Sequence, residues 1–203
     1  VDSGVALHTG LPNPGLPAVL RRFGRKWQRM ACPVIVHLAL DDPDEARKSV
    51  ERLEEVENVL AIELGFRHDV NPQEAAATIR TAARGLLPVV VQTPFSRAAE
   101  FIVLAEQARA QAVSVSAPPR ASLTAGEGWF EGRLYGAGLS AHTLQLVREL
   151  RRQTDLSIIA TGDIHSTAQA RALLSAGAQA VQLQSVVWIN PPKVNAMLQS
   201  WKR

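Results

Sequence analysis

Six short runs rich in Val, Ile and Leu, each followed by a segment of helical periodicity, constrain this chain more than any other feature. The runs are Pro33–Leu40, Val59–Phe66, Pro88–Thr93, Ala112–Ala117, Leu156–Ala160 and Ala180–Val186. Apolar runs this short and continuous are what strands look like when both faces are buried, as in parallel sheets. Most start about 25 residues apart, room for one crossover helix, so the expected class is parallel α/β. The interval between Ala112 and Leu156 is longer. With Pro118-Pro119-Arg120 and a Gly-rich stretch from Gly126 to Gly138, it reads as a long loop over one face.

Helix punctuation fills the intervals. Asp42-Pro43-Asp44-Glu45 combines an N-cap, a proline at the first helical position and acids in the first turn, and Ala46, Val50, Leu53 and Val56 follow at helical spacing. Asn71-Pro72-Gln73-Glu74 opens a second helix that Gly85 stops. Ser96 opens a third, and Ser166 with Gln169 forms a capping box for a helix ending at Gly177.

Two architectures compete. A doubly wound sheet of the dinucleotide-binding type would carry a Gly-rich first turn, and none is present. Polar residues instead stand near the C-terminal ends of the runs: Glu63, Gln92, Ser114, Ser116, Gln182 and Gln184. That is where a (β/α)8 TIM barrel builds its sites, so a barrel is expected. Six units cannot close an eight-stranded barrel without leaving two edges open. The expectation is therefore one partial domain spanning residues 1–203, with strands 3–8 present and the first two β/α units absent. They would come from a segment ahead of Val1, a second chain or a rearranged sheet, and the missing initiator Met favours the first.

An apolar fraction of 46% excludes low-complexity disorder, and a single cysteine, Cys32, excludes a disulfide scaffold and fits the cytoplasm. No run approaches the ~18 apolar residues of a membrane span. The net charge is only +3, and five basic residues (Arg21, Arg22, Arg25, Lys26 and Arg29) fall in one segment. That segment places Leu20, Phe23, Trp27 and Met30 on one helical stripe with the charges largely opposite. It reads as a solvated face over a packed stripe, not a nucleic-acid or membrane surface. Cys32 is expected to be buried, and His37 to be a satisfied interior histidine. Glu63 is expected to be a buried carboxylate that needs a partner. His142 and His165 show no metal-ligand spacing, so no metal is expected.

Five segments together resemble the FMN-dependent dihydroorotate dehydrogenases. Gly10-Leu11-Pro12-Asn13-Pro14-Gly15 resembles their GLPN/GLQNPG signature, and Ala61-Ile62-Glu63-Leu64 the start of their ELNLSCPN strand. Gly132-Arg133-Leu134-Tyr135-Gly136 is similar to their GGLSG segment, Ile158–Ile164 to IIGxGGI, and Ala176–Gln182 to AGAxAVQ. The segments occur in the family's order and begin after its second strand. The resemblance implies a (β/α)8 barrel with FMN across its C-terminal mouth. It also implies hydride transfer from dihydroorotate to the flavin, proton transfer to a side-chain base, and a place in pyrimidine biosynthesis.

Carried over residue by residue, the resemblance puts cofactor contacts at Gln92, Ser116, Gly136, Thr161, Gly162, Asp163, Gln184 and Ser185. Asn13 and Asn71 become substrate-binding candidates, and His68, with Asp69 beside it, the candidate base. The sequence departs from the family at most chemical positions. Leu7 and Gly65 stand where the family has substrate-holding asparagines, and Gln92 where it has a flavin-contacting lysine. Arg67-His68 replaces the base, and Asp163 a phosphate-loop glycine. Asp163 either faces a phosphate and repels it, or points away and caps the next helix. Two functions follow. One is a flavoprotein oxidoreductase acting on dihydroorotate or a related small ring compound. The other is a degenerate relative serving as a structural or binding subunit, a possible pseudoenzyme. Either is expected as a homo-oligomer or with a partner segment supplying the absent strands.

Overall fold

In the computed structural model, residues 4–8, 13–136 and 138–201 are described. All six apolar runs form strands: β2 (Val34–Ala39), β3 (Val59–Gly65), β4 (Val89–Thr93), β5 (Ala112–Val115), β8 (Ser157–Thr161) and β9 (Ala180–Gln182). They lie in one sheet in the order β2-β3-β4-β5-β8-β9. The β2–β3, β3–β4 and β8–β9 pairs are parallel. This order never reverses along the chain. A doubly wound sheet must reverse at its switch point, whereas a barrel winds one way throughout. The choice of a barrel type over a doubly wound sheet is therefore correct.

The chain divides into two compact units, with the boundary running through β4 and β5. The first holds residues 13–92 and 100–113: α1 (Leu16–Trp27), β2, α2 (Pro43–Glu54), β3, α3 (Pro72–Ala82), most of β4 and most of α4 (Ala98–Gln107). In β2, Val36 and Leu38 are buried while Ile35, His37 and Ala39 point the other way and are exposed, the period-2 alternation of a pleated strand. Helix α2 starts where expected, with the Glu45 N–H donating to Asp42 Oδ1 at 2.9 Å and Ala46, Val50 and Leu53 buried. Asp42→Ala is expected to lower stability by about 1 kcal/mol, read as a shift in urea midpoint at constant slope. Ile62, Leu64, Val89, Val91, Phe101 and Ile102 form the core, and the rings of Phe66 and Phe101 meet at 5.5 Å.

The second unit holds residues 4–8, 93–99, 114–136 and 138–201. Here the structure corrects the expected long loop. The strands β6 (Arg120–Ala125) and β7 (Gly128–Tyr135) form an antiparallel hairpin, and β1 (Val5–Leu7) pairs with β7. Gly126 opens the two-residue turn with φ of 59°, a value that favours glycine. The alternation in Arg120–Ala125 and Gly128–Tyr135 carried that signal, masked by its glycines and prolines. The remaining elements are α5 (Leu139–Leu150), β8, α6 (Thr167–Ser175), β9, α7 (Ser185–Ile189) and α8 (Pro191–Trp201). Ser166 caps α6, its Oγ accepting from the Gln169 N–H at 3.2 Å, while Gln169 Oε1 accepts from the His165 N–H at 2.8 Å.

Other expectations also change. The Ala180–Val186 run stops being a strand at Gln182, because Ser185 and Val186 begin α7. Ser96 sits inside a single 3-10 turn, Phe95–Arg97, and α4 begins at Ala98. Cys32 is exposed, since it lies outside β2 in the connection from α1. His37 is exposed too, because its strand face is the uncovered one. Met30 lies beyond the end of α1 and is 48% exposed, so the helical stripe stops at Trp27. Among the described residues, no helix is long and apolar enough to cross a membrane.

Candidate functional site

In the first unit, polar side chains of β2 and β3 meet on one face, exposed at β2 and buried at β3. His37 and Glu63 are register partners across the parallel pair. Their side chains join at 2.8 Å, His37 Nδ1 to Glu63 Oε2, with Glu63 almost fully buried and His37 half exposed. The expected buried carboxylate thus has its partner. An ionised carboxylate can only accept, so Nδ1 is then the donor, and in the neutral ring Nε2 keeps its lone pair. A Cβ added at Gly65 would sit 2.5 Å from both Cε1 and Nε2 of His37 and 3.6 Å from Gln92 Oε1. The missing side chain at Gly65 is what makes room for the imidazole. Residues 37 and 65 are one arrangement in which a histidine on β2 fills the space an asparagine on β3 would need.

The other first-unit candidates stand on loops. His68 is half exposed after β3, with Nδ1 3.8 Å from Asp69 Oδ1, and neighbouring Arg67 donates from Nε to Asp41 at 2.5 Å. That hydrogen bond and the Asp41 charge raise the Arg67 guanidinium further above its ordinary value. Asn71 caps α3, its Oδ1 accepting from the Gln73 N–H at 2.8 Å, and Asn13 Oδ1 accepts from the Gly15 N–H at 2.9 Å. Both amide oxygens are therefore already engaged in local backbone contacts. Of the GLPNPG segment, Gly10, Leu11 and Pro12 lie outside the described residues.

In the second unit, Ser116, Thr161, Gly162, Asp163 and Gln184 line one pocket. Its open space is about 10 Å³, no more than one ordered water occupies. Gly162 is in close contact with Thr143, and any Cβ there would run into Thr143 Oγ1. Asp163 is 2% exposed with φ of 39°. Aspartate tolerates that left-handed region better than most residues, which lets it replace a glycine. Its carboxylate accepts from the hydroxyl of buried Ser185. His165 Nε2 lies 2.9 Å from Ser185 Oγ and 3.9 Å from Asp163 Oδ1. Of the two expected placements of Asp163, helix capping does not hold: Ser166 caps the following helix, and the Asp163 carboxylate turns to Ser185. His165, passed over in the sequence, completes the cluster. Its place two residues after Asp163 was the available signal. Gly136 follows β7, its carbonyl accepting from the Leu139 N–H at 2.9 Å.

Tyr135 stacks edge-on against Trp188 at 5.3 Å. Burial pushes its phenol above the ordinary value, opposed by Arg133 and reinforced by Asp163. It is the only tyrosine, so tyrosinate absorbance reports it alone. A midpoint above ~10 is expected, moving down in Asp163→Asn. Because the folded value is raised, this group's contribution to stability is present below the unfolded value and lost as pH rises through the folded one. Among the described residues no group of three or more His, Cys, Asp and Glu is arranged to hold a metal ion.

A one-way wound parallel sheet with polar residues toward its strand ends defines the class: a partial (β/α)8 barrel. Comparison with known proteins agrees. Dihydroorotate dehydrogenase B (NAD(+)) catalytic subunits are similar over nearly the whole chain: that of Staphylococcus carnosus is 26% identical, covering 94% of this chain and 68% of its own length. Those of Desulforudis audaxviator and Pyrococcus furiosus are each 27% identical, covering 93% of this chain and 68% of their own. The crystal structure of dihydroorotate dehydrogenase from Eimeria tenella in complex with ferulenol superposes with a TM-score of 0.75 at 16% identity, over 98% of this chain and 67% of that one. No protein-family model matches the chain. The chain is thus similar to the dihydroorotate dehydrogenases, at low identity, and spans about two-thirds of the length of these relatives.

The resemblance to that family implies FMN, and the second unit does not fit that group's phosphate. Where a phosphate would need donors and space, the Ser185 hydroxyl is already given to a buried carboxylate and the pocket has room for no more than one water. A phosphate there would meet the Asp163 carboxylate, and like charges ~4 Å apart repel by about 4 kcal/mol at an effective dielectric near 20.

Proposed function

We propose that the chain is an oxidoreductase of the dihydroorotate dehydrogenase type, acting on dihydroorotate or a related small ring compound. The observation that carries this reading is the His37–Glu63 pair. A half-exposed imidazole, oriented by a buried carboxylate at 2.8 Å, presents Nε2 as a proton acceptor. Oxidation of a ring C–C bond beside a carbonyl removes a proton from the carbon next to the carbonyl and a hydride from the carbon after it, leaving a C=C bond. His37 takes the proton, and Glu63 stabilises the imidazolium that forms. Gln92, on the same side as Gly65, offers an amide to the ring's polar edge. The hydride goes to a separate two-electron acceptor, a flavin or a redox dye.

Purified protein mixed with dihydroorotate and an electron-accepting dye is expected to form orotate and bleach the dye. No orotate after long incubation, with and without added flavin, sinks the reading. In that event the second reading takes over: a binding or structural subunit without redox chemistry, which the Asp163–Ser185 pairing favours. A homo-oligomer or a covering partner fits either reading, because Ile35 at 49% and Trp188 at 45% exposure leave apolar surface open on both units. Sedimentation at micromolar concentration distinguishes a monomer from a dimer.

A further inference from the structure

Barrels of this class commonly hold ligand phosphates on the loops after their last two strands. Here those loops follow β8 and β9, and they bring Asp163, His165 and Ser185 together in the second unit. The order of hydrogen bonds identifies what this cluster is. The Ser185 hydroxyl donates to the Asp163 carboxylate, so it does not donate to His165, and His165 Nε2 at 2.9 Å donates to the serine oxygen instead. A serine held this way is not activated as a nucleophile, since its proton faces a carboxylate and not a base that leads it away. What the cluster resembles is a bound anion with its donors, the anion being part of the chain. Asp163 is 2% exposed and Ser185 fully buried, so the charge is enclosed and not screened by solvent.

We propose that Asp163 is a built-in anion standing where a ligand's phosphate would sit, so that the protein selects an unphosphorylated ring compound and rejects its phosphorylated form. This rests on the oxidoreductase reading only in taking the ring to be a flavin. The discrimination itself needs only the buried charge. A tenfold preference is the smallest effect consistent with a unit charge facing a phosphate inside a partly desolvated loop. Asp163→Gly removes the charge and suits the positive φ of 39°, and Asp163→Asn removes the charge while keeping the shape and a donor.

The test titrates the whole protein with riboflavin and with FMN, following quenching of flavin fluorescence, for the wild type and both variants. The wild type is expected to bind riboflavin at least tenfold more tightly than FMN, and both variants to abolish or reverse that ratio. FMN binding as tight as riboflavin in the wild type overturns the proposal, and so does a ratio unchanged in both variants. If neither flavin binds the wild type, the flavin reading fails by itself, and inorganic phosphate decides this proposal. Saturable broadening of the phosphorus resonance by Asp163→Gly or Asp163→Asn but not by the wild type supports it. Equal behaviour of all three proteins overturns it.

Discussion

His37→Gln is expected to lower turnover of the ring substrate by 10²- to 10⁴-fold, the usual contribution of a positioned general base. Glutamine retains an N–H that can reach Glu63, so the buried carboxylate keeps a donor. It has no lone pair able to take a proton near neutral pH. Stability should therefore stay within about 0.5 kcal/mol of the wild type while kcat falls. A variant that lost both together would mean only that the contact with Glu63 is structural. Unchanged kcat would remove His37 from the chemistry and return attention to His68, half exposed and 3.8 Å from Asp69. The tautomer gives a reading independent of turnover. Nitrogen chemical shifts should show the proton on Nδ1, and a neutral ring protonated on Nε2 would contradict the arrangement.

Phe101→Ala is expected to destabilise the fold by about 3–5 kcal/mol. Phe101 is fully buried in α4 and meets the Phe66 ring at 5.5 Å with planes tilted by 52°, so truncation loses both buried area and an aromatic pair. That is a large share of the 5–15 kcal/mol typical of a domain's total stability. Urea unfolding measures it. Leu86→Ala is the comparison: at 88% exposure, its removal should change stability by no more than about 0.5 kcal/mol. Similar losses in both would mean that the first unit has no single close-packed core.

The arrangement at residues 37 and 65 bears on how divergence in this family is read. Taken one at a time, loss of an asparagine at Gly65 looks like loss of a binding group. Taken together with the ring of His37 in that space, it is a replacement of one polar group by another. Asp163 follows the same logic. A carboxylate in a glycine position looks like damage, yet its serine partner and its enclosed position form a satisfied group.

The six strands of the parallel sheet, the caps at Asp42, Asn71 and Ser166, and the family resemblance were legible in the chain. Each is written in local information: apolar runs of strand length, side chains two or three residues from the N–H they accept, and short segments in a fixed order. The hairpin Arg120–Tyr135 was obscured because its turn glycine and flanking prolines look like loop composition. Only register shows that Thr124 faces Trp129. The sites divide the same way. Glu63, Gln92, Ser116, Gly162, Asp163 and Ser185 could be named from their places near strand ends, but what each one touches could not. His37 and Glu63 are 26 residues apart and Asp163 and Ser185 are 22 apart, and such pairs meet only when neighbouring parallel strands set their register. By itself the sequence determined which segments become the strands of the parallel sheet and where most of its helices start, because backbone preference and burial pattern act over a few residues. Tertiary structure alone decided which polar groups are spent on each other and which stay open to a ligand, because a hydrogen bond or a buried charge depends on what the rest of the fold brings within 3 Å.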